Sequence, residues 1–160
     1  MLPPIKKILY ASDLESKTQP ALGLALNIAL AHQAELIIMH SMEPLSPQAV
    51  NMIYYYVPKE ASEKMHEEAV KNVEERMQEE LTNFMDANKE ELATLSTPPK
   101  TIVVHGVPSE IIQETAEKKG VDLIIMNSRT HSRIGQMVIG STANKVIHNS
   151  KIPVLVVPIK

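Results

Sequence analysis

The sequence predicts an α/β domain in which one parallel sheet is wound together by helices on both faces. Three observations carry this. Short apolar runs recur with helical patterns between them, the alternation that right-handed crossovers turn into a parallel sheet. The runs are nearly all apolar rather than alternating, as strands covered on both faces require. In the last third, Val121-Asp-Leu-Ile-Ile-Met-Asn-Ser-Arg-Thr130 leads through a loop at Gly135 to Gly140-Ser141-Thr142 and then to Ile152-Pro-Val-Leu-Val-Val-Pro158. That reads as strand, loop, helix and strand, with backbone N–H groups exposed at the carboxyl end of a sheet, where a doubly wound fold places a phosphate.

Taken in order, residues 7–11 (Lys-Ile-Leu-Tyr-Ala) form the first strand. Residues 17–32 form a helix, with Leu22, Leu26, Ala29 and Leu30 near helical spacing. Ser16 and Gln19 stand at capping-box spacing, and Pro20 fits only within the first turn. Residues 35–40 are the second strand. The segment 44–58 carries three prolines and the run Tyr54-Tyr55-Tyr56, which predicts an ordered but irregular lid or flap whose tyrosines seal against the core or else stack on a base or a partner. A long charged helix follows over 61–92, with Met65, Ala69, Val73, Met77 and Leu81 at every fourth position forming its packing stripe. After a linker at 93–99 come a strand at 101–105 and a helix from Pro108 to Gly120, with Ile111, Ile112 and Ala116 facing inward. Strands at 122–126 and 153–157 flank the final short helix. No repeat or second domain emerges, so residues 1–160 read as one domain.

Composition excludes several functions. The absence of cysteine removes disulfides, thiolate metal sites and cysteine nucleophiles, and fits a reducing compartment, with the cytoplasm as the expected location. No apolar stretch reaches the roughly 18 residues of a spanning helix, and residues 1–10 lack the hydrophobic region of a signal peptide. A net charge of −3 with no tryptophan provides neither the basic stripe nor the stacking platform that nucleic acids demand. The chain has neither the Gly-x-x-x-x-Gly-Lys-Ser loop of a P-loop NTPase nor the Gly-x-Gly-x-x-Gly fingerprint of a dinucleotide fold. None of the six histidines stands at metal-ligand spacing: His40 and His105 end strands, and His32, His66 and His148 fall in helical patterns. Ser128 and Ser141 lack a nucleophile-elbow sequence.

Beyond these patterns, the chain resembles a single-domain universal stress protein over essentially its whole length. The resemblance rests on Ala11-Ser12-Asp13 after the first strand, Met39-His40 ending the second, Gly106-Val-Pro108, Asp122-Leu-Ile-Ile, and Gly140-Ser141 followed by Pro153-Val-Leu-Val-Val-Pro158. It implies a five-strand sheet of order 3-2-1-4-5, frequent dimerisation, and in some members a cleft for an adenine nucleotide, the expected ligand being ATP or another adenine nucleotide with Mg²⁺. ATP-binding members follow the fourth strand with a glycine, two residues, a second glycine, nine residues and then Gly-Ser or Gly-Thr. The spacing is kept here, but the first two glycines are replaced by Asn127 and Thr130. Glycine allows positive φ and close phosphate approach, which Asn tolerates moderately and β-branched Thr poorly. Side-chain donors on Ser128, Arg129, Thr130, His131 and Arg133 offer an anion another form of grip.

Each candidate site residue has two readings. Asp13 accepts hydrogen bonds from adenine or ribose, or else forms an Asx turn or helix cap; Ala11 and Ser12 belong to the same loop. Ser41, directly after the second strand, presents backbone to the adenine edge or is an ordinary strand end. Gly140, Ser141 and Thr142 give N–H and hydroxyl donors to phosphate, or Ser141 is simply an N-cap. Arg129 is a phosphate ligand or a solvated charge.

The leading expectation is a nucleotide-responsive homodimer that binds or signals, its ligand bridging the Asp13 loop and the 127–141 loop. The rival is a protein-interaction module without nucleotide, because Asn127 and Thr130 obstruct the cradle. Slow ATP hydrolysis or autophosphorylation at Ser128 or Ser141 lacks a positioned general base. The final strand, Val154, Leu155, Val156 and Val157, is apolar although the implied order puts it at a sheet edge, so it is the expected dimer interface.

Overall fold

The computed structural model describes residues 1–14, 19–128 and 140–158. Five strands form one parallel sheet in the order β3-β2-β1-β4-β5: β1 (Lys7–Ser12), β2 (Glu35–Met42), β3 (Lys100–His105), β4 (Leu123–Ser128) and β5 (Val154–Pro158). This is the order the resemblance implies. The helices are α1 (Gln19–His32), α2 (Pro47–Tyr56), α3 (Lys59–Ala87), α4 (Pro108–Lys119) and α5 (Ser141–Asn149).

Period-two alternation along each strand divides the core into two layers. Ile8 and Tyr10 of β1, Leu36 and Ile38 of β2 and Ile125 of β4 join Leu22 and Leu26 of α1 and Met77 and Leu81 of α3. On the opposite face Leu9, Ile37, Met39, Ile124 and Met126 pack with Ile112 and Ala116 of α4 and Ala143 and Val146 of α5. Most of these side chains are essentially inaccessible to water, and each fully buried Leu, Ile, Val or Met contributes about 1.5 to 3 kcal/mol by its removal from solvent.

Polar groups fix the amino end of the sheet. The Asp122 carboxylate accepts the backbone N–H groups of Lys6 and Lys7, at 2.8 and 3.0 Å, tying the start of β1 to β4. Glu35 bridges Lys7 at 3.8 Å and Lys100 at 3.5 Å, linking β1, β2 and β3. Gly120 ends α4 with φ 66°, a left-handed turn that glycine makes without strain. The opposite, carboxyl end is left open for the loops.

The structure corrects the expectation between β2 and β3. The segment read as an irregular flap contains α2, because the Ser46 side chain accepts the Ala49 N–H at 3.2 Å and Pro47 occupies the first turn, where its missing N–H costs nothing. The prolines punctuate the helix instead of preventing it. Nor do the tyrosines seal against the core: Tyr54, Tyr55 and Tyr56 are 80, 76 and 82% exposed. In α3 only the later part of the expected stripe is buried, at Met77 and Leu81, while Met65 and Ala69 lie in solvent. His66 stacks on His105 at the end of β3, with ring centroids 4.9 Å apart, so the turns of α3 before it extend past that end of the sheet. The helix closes at Asn88, whose Nδ2 donates to the Phe84 carbonyl at 2.8 Å, and turns replace it before β3.

Candidate functional site

Chain order reverses at the centre of this sheet: β2 and β3 lie to one side of β1, and β4 and β5 to the other. At such a switch point the loops leaving β1 and β4 diverge, and a crevice opens between them. Here a cleft of about 430 Å³ occupies that position.

Its walls come from distant parts of the chain. β1 and the turn after it contribute Ala11, Ser12 and Asp13, and β2 contributes His40 and Ser41. Asn127 of β4 and Gly140, Ser141 and Thr142 at the start of α5 close the other side. Of the ten residues singled out from sequence as cofactor contacts, the cleft unites eight; the other two, Arg129 and Thr130, lie outside the described residues. Gly135 and the donors His131 and Arg133 lie outside them too, as does the capping residue Ser16.

Local structure revises several roles. Ser41 lies within β2, opposite Val104 of β3, rather than after the strand. Gly140 is the N-cap of α5 and makes no side-chain cap bond, so Ser141 is the first helical residue and not the cap. Among the described residues no cap side chain receives the first N–H groups of α5, and the residues that carry them, at the positive end of the helix dipole, line the cleft.

Asn127 changes most. It is paired within β4 to Val157 of β5, and it is not among the positive-φ residues, so the conformational freedom of glycine is not what its position demands. It shares a sheet face with Ile125, toward α1, and its Nδ2 donates to the Tyr10 hydroxyl at 3.4 Å. The amide thus engages the buried tyrosine of β1 while the residue still borders the cleft.

Sequence reasoning did not select His40, Glu43, Pro108, Ile112, Met126 or Ala143, all of which line the same space. His40 stands opposite Ser12 in the β1–β2 register, and its Nδ1 lies 2.9 Å from the Ser12 carbonyl oxygen. Its position at the end of an apolar strand beside the one ending in Ser12 was the available signal. Pro108 is brought in by Gly106, whose φ of 152° suits glycine and whose N–H donates to the Met42 carbonyl at 3.0 Å. A Cβ at Gly106 would meet the Ile111 Cβ at 3.1 Å.

The cleft wall mixes apolar side chains with Asp13 and Glu43 carboxylates and α5 N–H donors, a set able to accept from hydroxyls at one end and donate to an anion at the other. Just beneath the Asp13 turn, burial raises the pKa of Glu80 on α3; the Arg76 guanidinium opposes the rise, while Asp13 and Glu79 add to it. Among the described residues no group of three or more His, Asp or Glu side chains is placed to hold a metal ion.

The universal stress protein family model matches residues 4–158. The chain belongs to that family. Universal stress protein MJ0577 of Methanocaldococcus jannaschii is 31% identical over 152 residues, spanning 95% of this chain and 94% of the relative; its solved structure, covering 99% of both chains, has a TM-score of 0.60. The universal stress protein UspA from Lactobacillus plantarum shares the fold at a TM-score of 0.71 and 22% identity, over 98% of this chain and 99% of that one. Two further universal stress protein structures contain adenine ligands. One is a complex with cAMP (TM-score 0.62, 22% identity, 99% and 100% coverage). The other, from Archaeoglobus fulgidus, is a complex with dAMP (TM-score 0.58, 16% identity, 94% and 96% coverage). Among the described residues of this chain, no helix is long and apolar enough to cross a membrane.

Proposed function

We propose that this universal stress protein is a regulatory module that binds an adenine nucleotide in the cleft at the carboxyl ends of β1, β2 and β4. The observation that carries the reading is the convergence of Ser12-Asp13 and Gly140-Ser141-Thr142, more than 120 residues apart in sequence, on the two sides of one crevice. The Asp13 side takes the nucleoside, whose hydroxyl and amino groups donate to a carboxylate. The α5 side takes the phosphate, which N–H groups at a helix N-terminus and the helix dipole favour. The cAMP and dAMP complexes of structural neighbours support an adenine ligand in this fold.

ATP is the nucleotide we assign, with Mg²⁺ carried on its phosphates, since Mg²⁺ commonly binds through substrate phosphates and water rather than an all-protein cage. The protein acts in the cytoplasm as a homodimer joined through Val154, Leu155, Val156 and Val157, and binding rather than turnover is its activity. The exposed apolar surface of α2, with Val50 and Met52 beside the tyrosines, favours a regulatory protein partner as the recipient of the signal.

Denaturing freshly purified protein and identifying the released small molecule by mass spectrometry tests the ligand directly. Stoichiometric adenine nucleotide is expected. If none is released, and calorimetric titration with ATP and Mg²⁺, AMP and cAMP also gives no binding, the interaction-module reading replaces this one.

A further inference from the structure

The turn that presents Asp13 to the cleft is held in an unusual conformation. Leu14 has φ 63°, in the left-handed region that a branched side chain seldom occupies. Three contacts sustain it. The Leu14 N–H donates to the Ser12 Oγ at 3.2 Å, and its side chain is 7% exposed in the layer that contains Met77 and Leu81 of α3. The third contact comes from the same helix, one residue before Met77: the Arg76 Nη2 donates to the Leu14 carbonyl at 3.0 Å. A residue 62 positions away thus grips the carbonyl of the residue that follows Asp13.

We propose that Arg76 is a positioning residue for the nucleotide cleft, fixing the turn at residues 12–14 so that Asp13 faces the ligand. The proposal rests on the nucleotide reading above and assigns α3 a part in it. Without the guanidinium, the Leu14 carbonyl loses its charged donor and the peptide is free to relax toward negative φ, which turns the Asp13–Leu14 segment away from the cleft. Because binding linkage is reciprocal, a ligand that needs this turn also tightens the half of α3 that carries Arg76. Asp13 serves the nucleoside end, so the effect falls on adenosine as much as on its phosphates.

The test compares wild type with Arg76→Met, Arg76→Lys and Val73→Ala in the full chain, titrated with adenosine, AMP and ATP with Mg²⁺. Val73 packs on the same apolar layer from the preceding turn and has no side-chain donor for the Leu14 carbonyl, so it controls for a general loosening of α3. Arg76→Met should weaken all three ligands by about tenfold, the size expected for removing a charged hydrogen bond. Arg76→Lys should restore most of the affinity, and Val73→Ala should stay within about twofold of wild type. Equal affinities in wild type and Arg76→Met overturn the proposal, as does a Val73→Ala loss matching that of Arg76→Met.

Amide hydrogen exchange at residues 12–14 supplies a reading independent of ligand. It should quicken in Arg76→Met and recover in Arg76→Lys, and unchanged exchange overturns the positioning role. If wild type binds none of the three ligands, the nucleotide reading itself fails, and exchange alone decides whether Arg76 holds the turn. Should Arg76→Met not fold, Arg76→Gln takes its place in both measurements: weaker binding of all three ligands and faster exchange at residues 12–14 are expected, and wild-type values in both overturn the proposal.

Discussion

Gly140 carries the anion side of the proposed site because it caps α5 without a side chain between the helix N-terminus and the cleft. Gly140→Val should lower adenine-nucleotide affinity at least several-fold by placing a branched Cβ at this approach. Calorimetric titration checks it, and unchanged affinity moves the phosphate elsewhere. Asn127 gives the opposite expectation. Its strand conformation and its bond to Tyr10 mean that Asn127→Gly opens no cradle; affinity should change less than twofold, while stability falls by about 0.5 to 1 kcal/mol from glycine in a strand. A large gain in affinity would restore the steric account read from the sequence. The contrast shows what a residue string conveys. The motif spacing revealed which positions gather at the cleft, but whether Asn127 obstructs depends on strand parity and a tyrosine on β1, neither of which is local to the motif. Glu80 makes a pH-dependent prediction. Its pKa is raised above the ordinary 4.5, chiefly by burial, so the folded chain binds this proton more tightly than the unfolded chain. Stability from this group is therefore highest below pH 4.5 and declines as pH rises through the raised value. Glu80→Gln should melt at a higher temperature than wild type near neutral pH, with the difference closing in acid; a lower melting temperature at neutral pH would show that the attraction to Arg76 outweighs burial.

At the scale of elements, β5 makes the clearest assembly prediction. It is the edge strand beyond β4, and its side chains are only partly buried, Leu155 and Val157 toward one core layer and Val154 and Val156 toward the other. The long helix that might have shielded it packs instead beside β3, at the opposite edge. Two β5 edges meeting about a two-fold axis would pair their free backbone groups and cover these side chains. Val156→Lys should convert a dimer into a folded monomer, read by light scattering with circular dichroism as the check on folding. An unchanged mass with native dichroism places the interface elsewhere. The strands and the helix ending at Gly120 were legible because apolar runs and a left-handed glycine are local signals. α2 was not, since Pro44, Pro47 and Pro58 read together as disruption, whereas only their places relative to Ser46 reveal that one starts a helix and another follows its end. The burial of α3 was overread for a related reason: a regular stripe shows which face can pack, not how far along the helix the sheet reaches.

For the whole molecule, the order β3-β2-β1-β4-β5 places β1, the first of these five strands in chain order, at the centre of the sheet. β1 can pair with β2 once residue 42 is made, but its other edge waits for β4, which ends at residue 128, and its first N–H groups wait for Asp122. At ordinary synthesis rates those intervening residues take roughly 4 to 17 s. During that interval Ile8, Leu9 and Tyr10 have one open flank, and the turn bearing Asp13 has no wall across from it. A chain cut after residue 121 should accordingly remain expanded and bind a hydrophobic dye, and one cut after residue 158 should not; a compact, dye-silent short chain would show that the first half closes alone. The central strand therefore makes translation itself part of the folding problem: the segment that anchors both core layers emerges before the other four strands and is completed late, which exposes the nascent chain to chaperones for as long as its middle is still being made.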